Sequence, residues 1–514
     1  MDLFHNTLNP LLQDHGVGGI AIFVIAAALA SFTIWTAAQW YRLSHVPGPL
    51  IASLTSLWAF RASLGGQYHT IVQELQEKYG KVVRIAPNDV LISDPDTLWK
   101  INSARSLWTR GGWYASMRFN PYGDSVLSEI DMAAHDKRKA KLISGFSGKG
   151  LMDIESSLDL QLSILVDVLK RKVSQGNGQA VIDIGRVLQN FQVDLITLTG
   201  TGKAWGNLPT DKDHFNYLED GDKSFQFIQS TAMVPPLRHL LFSPLFLRLF
   251  GSKPTTGWLG SAIPLLLFLK SAVERHTEDN NDEKPSDTML AEWLKHKISP
   301  LEAELDLSIQ LPAGTETSIG TIRGLLLYLM TTPRVYYKVK KEIAEGIQNG
   351  RISSPVTNDE AKNLPYLQAV ISEGMRVASP IVAGFPKKVP PGGEVICGQM
   401  LPAGTDVHAN YVSMMRDRDI FGDDIEIFRP ERFIDADEAT IVRRRKVIDL
   451  NFGYGRWLCL GRILAILEIN KIFVELLRAF DFQVANPEKP WRRESATTTY
   501  IQAFIARVTN DPVG

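Results

Sequence analysis

Residues 451–462, NFGYGRWLCLGR, set a cysteine among glycines directly before an apolar run. This residue, Cys459, and Cys397 are the two cysteines of the 514-residue chain, which excludes a disulfide framework and fits a reducing compartment. A cysteine thiolate is the protein ligand that pushes electron density onto a metal. It stays ionised where the metal, backbone N–H groups and the start of a helix supply positive potential. The loop therefore predicts a thiolate metal ligand.

The glycines around this cysteine support the prediction. Gly453 and Gly455 allow the backbone to fold back so that its N–H groups face the sulfur. Gly461 leaves out a side chain where a flat macrocycle would lie close to the following helix. The commoner role of a lone cysteine is that of a small buried hydrophobic residue. That alternative explains neither the glycines nor Phe452 and Arg456.

A second chemical pattern is AGTETS, residues 313–318. Thr317 follows Ala313 by four residues, so its hydroxyl can bond that carbonyl and open the helix. Gly314 lets the backbone approach the face of a cofactor. We expect the opened turn to leave a local groove beside the helix. The alternative is a solvent-facing Thr/Glu pair, but apolar runs on both sides favour a central helix.

The cysteine loop resembles the haem-binding signature of the cytochromes P450, Phe-x-x-Gly-x-Arg-x-Cys-x-Gly. The match is met at Phe452, Gly455, Cys459 and Gly461. The arginine of the signature falls on Trp457, while Arg456 stands one place earlier. In the family that arginine pairs with a haem propionate, so either Arg456 swings round or the Trp457 indole N–H donates instead. This variant of the signature resembles fungal members of the family, in which an aromatic residue after arginine is common.

Other motifs follow in the order that the family has them. AGTETS is similar to the family's distal-helix motif, which assigns proton handling to Thr317 and Glu316. EGMR places Glu373 and Arg376 three residues apart on one helix face, and FRPERF supplies Arg432. The resemblance implies that these last three residues form a structural network bracing the cysteine side of the cofactor.

Weaker matches extend the cofactor site. His135 occupies the aromatic position of the family's Trp-x-x-x-Arg helix, and Lys139 or Arg138 occupies the basic one. Lys387 stands where the family often has a propionate-binding arginine, and solvated surface lysines are an equally good alternative. The resemblance implies haem b, with Cys459 as the axial iron ligand. The expected cofactor contacts are Cys459, Phe452, Gly453, Arg456, Trp457, Gly461, His135, Lys139, Lys387, Ala313 and Gly314.

The elements that position these residues are mostly helical. Residues 68–80 have helical spacing with a glycine stop, and 81–95 read as two short strands about a turn at 87–88. Helical patterns dominate from about 135 to 380, strands return at 394–410, and a last helix covers about 460–479. The fold class is therefore mainly α with a minor β portion, and the resemblance implies the cytochrome P450 fold.

The N-terminus predicts a membrane anchor. Residues 16–39 carry no charge over the length that crosses a bilayer as a helix, and no Lys or Arg precedes them. We expect a lumenal N-terminus (1–15), a transmembrane anchor (16–39), a Pro/Gly hinge (40–50) and a catalytic domain (51–514). That topology predicts a single-pass protein of the endoplasmic reticulum whose catalytic domain faces the cytosol. A buried helix is the alternative.

Charge and apolar segments indicate the partners. A net charge of −1, from 55 basic and 56 acidic residues, gives no sign of nucleic-acid binding. The run IVRRRKV, residues 441–447, predicts docking of an acidic NADPH–cytochrome P450 reductase, with cytochrome b5 as a further candidate donor and a solvated turn as the alternative. A hydrophobic small molecule suits the apolar candidate substrate segments. These are 113–125, 227–251, 305–313, 379–385 and 495–504.

The resemblance implies a haem-thiolate monooxygenase that inserts one oxygen atom from dioxygen into that molecule. The fungal likeness indicates a tailoring step in the biosynthesis of a terpenoid, polyketide or alkaloid. One alternative is a haem-thiolate isomerase or dehydratase that does not use dioxygen. Another is a non-catalytic membrane haem protein.

Overall fold

The computed structural model describes residues 36–146, 154–250, 262–277 and 287–511 without a break, and parts of 19–34. Its α-helices are α1 (Leu50–Leu54), α2 (Leu57–Leu64), α3 (Tyr68–Tyr79), α4 (Pro95–Asn102), α5 (Met132–Phe146), α6 (Ile154–Gln175), α7 (Ile184–Thr201), α8 (Asn207–Thr210), α9 (Tyr217–Thr231), α10 (Pro235–Leu241), α11 (Pro244–Phe250), α12 (Ala262–Thr277), α13 (Met289–Lys295), α14 (Pro300–Thr331), α15 (Pro333–Gln348), α16 (Asn358–Lys362), α17 (Pro365–Val377), α18 (Tyr411–Met414), α19 (Arg418–Phe421), α20 (Glu438–Asp449) and α21 (Arg462–Ala479).

The strands are short. They are β1 (Val82–Ala86), β2 (Asp89–Ile92), β3 (Thr109–Arg110), β4 (Gln179–Asp183), β5 (Ala383–Lys388), β6 (Glu394–Ile396), β7 (Gln399–Leu401), β8 (Asp406–Asn410), β9 (Phe480–Val484), β10 (Arg492–Ser495), β11 (Thr499–Gln502) and β12 (Ile505–Asn510). The largest sheet has the order β1-β2-β8-β5-β3, and a second has the order β4-β12-β9. The predicted class, mainly α with a minor β portion, is confirmed.

Helix α14 is the central element. Its 32 residues begin with a capping box in which Ser299 and Glu302 satisfy each other's backbone N–H groups, and Pro300 occupies the first turn. Apolar residues cover most of its circumference, as expected for a helix buried on all sides. It packs against α7, α12 and α17 within the main apolar core.

The predicted helix at residues 68–80 and the two predicted strands at residues 81–95 are confirmed. Helix α3 ends at Gly80, whose φ of +91° is the left-handed conformation that glycine adopts readily. Strands β1 and β2 pair antiparallel, with Val82 opposite Ile92, around the turn at 87–88. Strand β8 then pairs parallel to β2 and antiparallel to β5, which brings residue 387 into this sheet.

The segment before α1 is packed against the sheet. The Arg84 backbone N–H donates to the Pro47 carbonyl at 2.8 Å, and its guanidinium donates to the carbonyls of Gln39 and Trp40. In the described part of the chain, no helix has the length and apolarity needed to cross a membrane. Several residues of the predicted 16–39 span lie outside the described residues, as does the predicted N-terminal segment 1–15.

Candidate active site

The cysteine loop is closed by backbone contacts that require glycine. Gly453 and Gly455 have φ values of +72° and +55°, and a Cβ on Gly453 would collide with the Trp457 carbonyl. A Cβ on Gly455 would collide with the Asn102 carbonyl at the end of α4. The loop then returns on itself, because the Cys459 N–H donates to the carbonyl of residue 452 at 2.7 Å.

The sulfur of Cys459 lies just before the N-terminus of α21. Backbone N–H groups of Gly461 and Arg462 hydrogen-bond to it, and Lys139 adds positive charge nearby. The Cys459 side chain is exposed to the cavity, yet the surrounding protein desolvates the thiol and raises its pKa, while these N–H groups and the lysine oppose that rise. Gly461 leaves space beside the sulfur: a Cβ there would contact only Sγ, at 3.9 Å.

A cavity of about 340 Å³ separates the cysteine loop from α14. Cys459, Phe452, Gly453, Trp457 and Gly461 form part of one wall, and Ala313, Gly314 and Thr317 form part of another. The same cavity is lined by His135, Lys139 and Lys387. The structure therefore brings eleven of the candidate residues named from the sequence to one space, and its wall is mainly apolar.

Thr317 carries the expected local hydrogen bond on the α14 wall. Its Oγ1 donates to the Ala313 carbonyl at 2.7 Å, yet α14 runs unbroken from residue 300 to 331. Helix packing requires glycine at position 314, which the sequence alone did not indicate. A Cβ at this position would lie 2.8 Å from Ile196 Cδ1, so the glycine lets α14 approach α7 closely.

Glu316 faces away from this wall. It does not line the cavity; it is half-buried and faces α7, where Gln189 Nε2 donates to its carboxylate at 3.1 Å. Burial raises the pKa of Glu316, and the charge of Arg323 lowers it. Adjacent residues on a helix point about 100° apart, and here Thr317 faces the cavity while Glu316 faces α7. The structure does not bring this predicted pair together in the cavity.

Three basic side chains meet at one end of the cavity. Arg110 on β3 is the register partner of Lys387 on β5, so two like charges stand opposite each other in the sheet. Lys139 on α5 reaches the same region and donates to the carbonyls of residues 456 and 458, each at 2.7 Å. None of the three cations forms an ion pair with a carboxylate of the described residues. We call Arg110, Lys139 and Lys387 the cation cluster.

The cation cluster is desolvated. Lys387 is 4% exposed, and burial together with Arg110 and Lys139 lowers its pKa well below the usual value. Burial also lowers the pKa of Arg110, and lowers that of Lys139 to about 8. The Lys387 ammonium donates to the Tyr114 hydroxyl at 2.6 Å and to the carbonyl of residue 385 at 3.0 Å. These neutral acceptors do not balance the charges.

Trp457 lies in the middle of this group. The Lys387 Nζ and the Arg110 guanidinium carbon are 4.5 and 5.2 Å from its ring, and the His135 ring is 5.3 Å away. The indole Nε1 is buried and has no hydrogen-bond partner among the described residues. A buried donor without an acceptor is costly, so this N–H indicates an acceptor in the cavity.

Arg456 lies outside the wall of the cavity. Its Nε lies 3.4 Å from Asp136 Oδ2, and its side chain does not line the cavity. Asp136 also contacts His135, whose Nδ1 is 2.9 Å from Oδ1. Burial and the charge of Arg110 lower the pKa of His135 to about 4, so the ring is neutral at physiological pH.

The predicted structural network is assembled and buried. Arg376 donates through Nε and Nη2 to both carboxylate oxygens of Glu373 at 2.8 Å, and Arg432 Nε lies 2.9 Å from Oε2. All three side chains are 0% exposed. Asn451 ties α17 to the cysteine loop, because its Nδ2 donates to the Met375 carbonyl at 3.3 Å. We call Glu373, Arg376 and Arg432 the paired network.

Sequence reasoning missed several residues of the site. Arg110 sits in the run LWTRGGWY, where a basic residue among aromatic residues was a usable signal. Glu468, in the apolar run ILAILEI on α21, also lines the cavity. Asn451 and Tyr114 carried no signal, because each acts through a partner that is distant in sequence.

These observations fit a flat apolar group with acidic substituents at one edge. The cation cluster and the free Trp457 N–H offer donors for carboxylates, and Cys459 offers a metal ligand on the face of the same cavity. The family model for Cytochrome P450 matches residues 46–503. The chain belongs to the cytochrome P450 family. It is accordingly a haem-thiolate monooxygenase that uses haem b.

Three fungal proteins are similar to this P450 over most of its length. It is 37% identical to the "Cytochrome P450 monooxygenase aba1" of Botryotinia fuckeliana, over 87% of this chain and 88% of the relative. It is 34% identical to the "Cytochrome P450 monooxygenase ABA1" of Pyricularia oryzae, over 97% of this chain and 98% of the relative. It is 27% identical to the "Pisatin demethylase" of Fusarium vanettenii, over 88% and 86%.

Proposed function

We propose that this P450 oxidises a hydrophobic small molecule in a tailoring step of fungal secondary metabolism, with Cys459 as the axial ligand of the haem iron. The observation that carries the proposal is a cavity with Cys459 on one wall and Thr317 on another. The fungal monooxygenases among the relatives support the pathway type. A terpenoid, polyketide or alkaloid is the substrate class that we propose.

The cation cluster and Trp457 would hold the haem propionates. Lys387 and Arg110 are opposite each other on two paired strands, and both lie near the ring of Trp457, which belongs to the cysteine loop. Charge-assisted bonds to carboxylates would balance the buried cations and restore the lowered pKa of Lys387. When bound, the haem supplies dioxygen binding and cleavage of the O–O bond using two electrons.

Thr317 would hold a proton at Oγ1 on the wall that α14 contributes to the cavity. Its O–H already donates to the Ala313 carbonyl, so the lone pairs of Oγ1 remain free to accept from water or oxygen in the cavity. The sequence assigned the supply of protons to Glu316, and we keep Glu316 as a candidate on the far side of α14. Its hydrogen bond with Gln189 and the nearby charge of Arg323 suit a relay on that side of the helix.

The cavity wall supports an apolar substrate. Three of the five candidate segments contribute lining residues: 113–125, 305–313 and 379–385. Segments 227–251 and 495–504 contribute none in this structure. The apolar side chains near α14 are Val126, Leu127, Ile309, Ile381 and Phe385. An apolar wall with few free polar groups selects by shape more than by hydrogen bonding.

We also propose the membrane topology predicted from the sequence. The uncharged run 16–39 supports a single-pass anchor in the endoplasmic reticulum, with the hinge at 40–50 and the catalytic domain, 51–514, in the cytosol. Exposed apolar side chains on the first two helices and on α10 and α11 support contact with the bilayer surface. These are Leu50, Ile51, Leu54, Leu57, Leu240, Leu245, Leu249 and Phe250.

The proposed electron donor is NADPH–cytochrome P450 reductase, with cytochrome b5 as a second candidate. On α20, Arg445 and Lys446 are exposed and have no partner among the described residues. Arg443 instead pairs with Asp96 at 2.7 Å. Arg444 donates to the carbonyls of residues 420 and 432. Two of the four basic residues, Arg443 and Arg444, are therefore engaged in contacts within the protein.

The reaction class is tested by isotope labelling. The protein is expressed with a reductase and supplied with candidate precursors under labelled dioxygen. Monooxygenase activity predicts one labelled oxygen atom in the product and a requirement for both dioxygen and NADPH. Turnover without dioxygen would indicate the isomerase or dehydratase alternative, and haem binding without conversion of any precursor would indicate the non-catalytic one. Thr317→Ala is expected to bind haem normally and to release more hydrogen peroxide per NADPH consumed.

A further inference from the structure

A long connection runs beside the cavity between β3 and α5. Its residues 118–131 join the 3₁₀-helix Gly112–Met117 to α5 through turns and irregular backbone. We call residues 124–129 the cavity loop, because Val126 and Leu127 line the cavity. Connections of this length within a compact domain usually carry function. These two side chains give the cavity a fixed shape only if the backbone of the loop is held in place.

One hold on the cavity loop comes from Arg110. Its Nη1 donates to the carbonyls of residues 126, 127 and 129, at 2.8, 2.8 and 2.7 Å. A guanidinium has donors only, so it can satisfy these carbonyls but not the backbone N–H groups of the loop. The N–H groups therefore need a separate acceptor.

That acceptor is Asp306, near the start of α14. The Val126 backbone N–H donates to Asp306 Oδ1 at 2.7 Å, and Arg138 Nε on α5 donates to Oδ2 at 2.7 Å. Asp306 is 2% exposed and lines the cavity. Burial raises its pKa to about 6 against the charge of Arg138, so the side chain is a carboxylate at physiological pH. Both hydrogen bonds are therefore charge-assisted.

Arg138 extends this contact to two further points of the chain. Its Nη1 donates to the Asp124 carbonyl of the loop, and its Nη2 donates to the Glu302 carbonyl of α14 at 2.9 Å. Arg138 does not line the cavity, whereas Lys139 does. Of the two basic residues that the sequence offered for the cofactor contact, Arg138 is the one that holds the loop.

The chain before the cavity loop packs directly on α14. A Cβ on Gly123 would lie 2.7 Å from Leu305 Cδ1, so glycine permits this close approach. Within the connection, Asp124 accepts the Ser128 hydroxyl and the Arg118 Nε, each at 2.9 Å. These internal bonds shape the turn, and the contacts with α14 and α5 fix where the turn lies.

We propose that Asp306, paired with Arg138, is a positioning residue that fixes the cavity loop and thereby the cavity wall at Val126 and Leu127. The proposal rests on the proposed function, in which an apolar substrate occupies this cavity. An apolar wall selects its ligand by shape, so its selectivity depends on how firmly its side chains are placed. Asp306 acts through the backbone of Val126 and takes no part in the oxidation.

Hydrogen exchange of the purified holoprotein measures this hold directly. The Val126 amide is itself the donor to Asp306, so its exchange reports the bond. Asp306→Leu removes both acceptor oxygens, and exchange across residues 124–129 should speed up by about 10- to 100-fold, the scale of a lost charge-assisted bond. Asp306→Asn keeps one acceptor oxygen and should fall between the wild type and Asp306→Leu. Asp481→Asn is the matched control, because Asp481 pairs with Lys340 at 2.6 Å and does not line the cavity.

Azoles that coordinate haem iron test the effect on the cavity without knowledge of the substrate. Imidazole needs space only at the iron, whereas triphenylmethylimidazole must also contact the cavity walls. Asp306→Asn should lower the affinity for the large azole by about 10-fold, because binding must then order the loop, and should change the affinity for imidazole little. Arg138→Met should act alike, and the double variant should add little, because both changes remove one interaction. The shift of the Soret band on titration measures both affinities.

The results can reject this proposal separately from the haem site. Unchanged exchange at residues 124–129 in both Asp306 variants would overturn it, and so would faster exchange spread evenly over α5, α14 and the loop, which indicates lost stability. Equal losses of affinity for the two azoles would also overturn it. A wild type without an azole-induced Soret shift would contradict the haem site, while the exchange measurement would still decide the role of Asp306. Should Asp306→Leu not fold, Asp306→Asn and Arg138→Met decide by the same exchange measurement.

Discussion

Two buried charge clusters differ in how their charges are balanced. The paired network joins two arginines to Glu373 and is 0% exposed. The cation cluster buries Arg110 and Lys387 beside Lys139 with no carboxylate in ion-pair distance among the described residues. The charges of the paired network are balanced within the protein, whereas those of the cation cluster are balanced only when an anionic ligand is bound. Whether a buried charge has a partner therefore separates a structural site from a binding site.

The energetic consequences of the two clusters are opposite. Removing one member of a fully paired buried group leaves a charge uncompensated, at a cost of about 3–5 kcal/mol. Removing one member of an unpaired cluster relieves repulsion and desolvation in the ligand-free chain. The same substitution would remove a partner from the bound propionates. Stability without haem and retention of haem should therefore move in opposite directions for the cation cluster only.

The largest expected effect comes from charge reversal at Glu373. Glu373→Lys would place three buried cations together, and the loss is comparable to the whole stability of a domain, about 5–15 kcal/mol. We expect no haem-loaded protein, measured as haem absorbance per protein after purification. Glu345→Lys is the matched control, because Glu345 forms an exposed pair with Lys341 and such pairs contribute about 0–1 kcal/mol. A fully haem-loaded Glu373→Lys protein would contradict the bracing role.

The next prediction tests whether stability without haem and retention of haem change in opposite directions. Lys387→Met is expected to leave the melting temperature of the haem-free protein unchanged or higher, because a desolvated lysine is removed. Loss of a charge-assisted bond, worth about 1.5–3 kcal/mol, should speed haem transfer to an acceptor such as apomyoglobin by about 10- to 100-fold. Slower or unchanged haem loss would show that Lys387 does not meet a propionate.

A smaller effect decides between the two propionate donors that the sequence left open. Trp457→Phe removes the unpartnered Nε1–H, and we expect haem loss to speed up by about 10-fold, which corresponds to about 1.5 kcal/mol, the lower end for a hydrogen bond with one charged partner. Arg456→Ala breaks only the half-exposed contact with Asp136 and should change haem loss little. The reverse order of effects would assign the propionate to Arg456.

The smallest effect concerns the exposed basic residues of α20. Arg445→Glu with Lys446→Glu should slow the first electron transfer from reductase by about 10-fold at low salt, with the difference closing as salt rises. Single-turnover reduction under carbon monoxide measures this rate. Arg444→Glu is a poor probe, because Arg444 bonds two backbone carbonyls and its loss should disturb folding. A rate independent of salt would remove these residues from the docking surface.

Local spacing predicted much of the site. The hydrogen bond from Thr317 to Ala313 follows from helical geometry, and the contact of Glu373 with Arg376 follows from an i, i+3 spacing. The glycine-closed loop at Cys459 follows from backbone sterics. Each of these features depends on residues within one turn or one loop.

Contacts between distant segments could not be predicted in the same way. The pairing of Arg110 with Lys387 depends on a sheet register between two far parts of the chain. Glu316 is beside Thr317 in sequence but on another face of α14, and Glu468 reaches the cavity from α21. The choice between Trp457 and Arg456 depended on Asp136, which holds the arginine away from the cavity.

The proposed bond between the Cys459 sulfur and the haem iron can be observed in the absorption spectrum of the reduced carbon monoxide complex, recorded for the purified wild type and for Cys459→Ala. We expect the red-shifted Soret band of a thiolate-ligated haem in the wild type and its absence in Cys459→Ala. An identical thiolate band in the Cys459→Ala protein, or a wild type that binds no haem after loading, would contradict it.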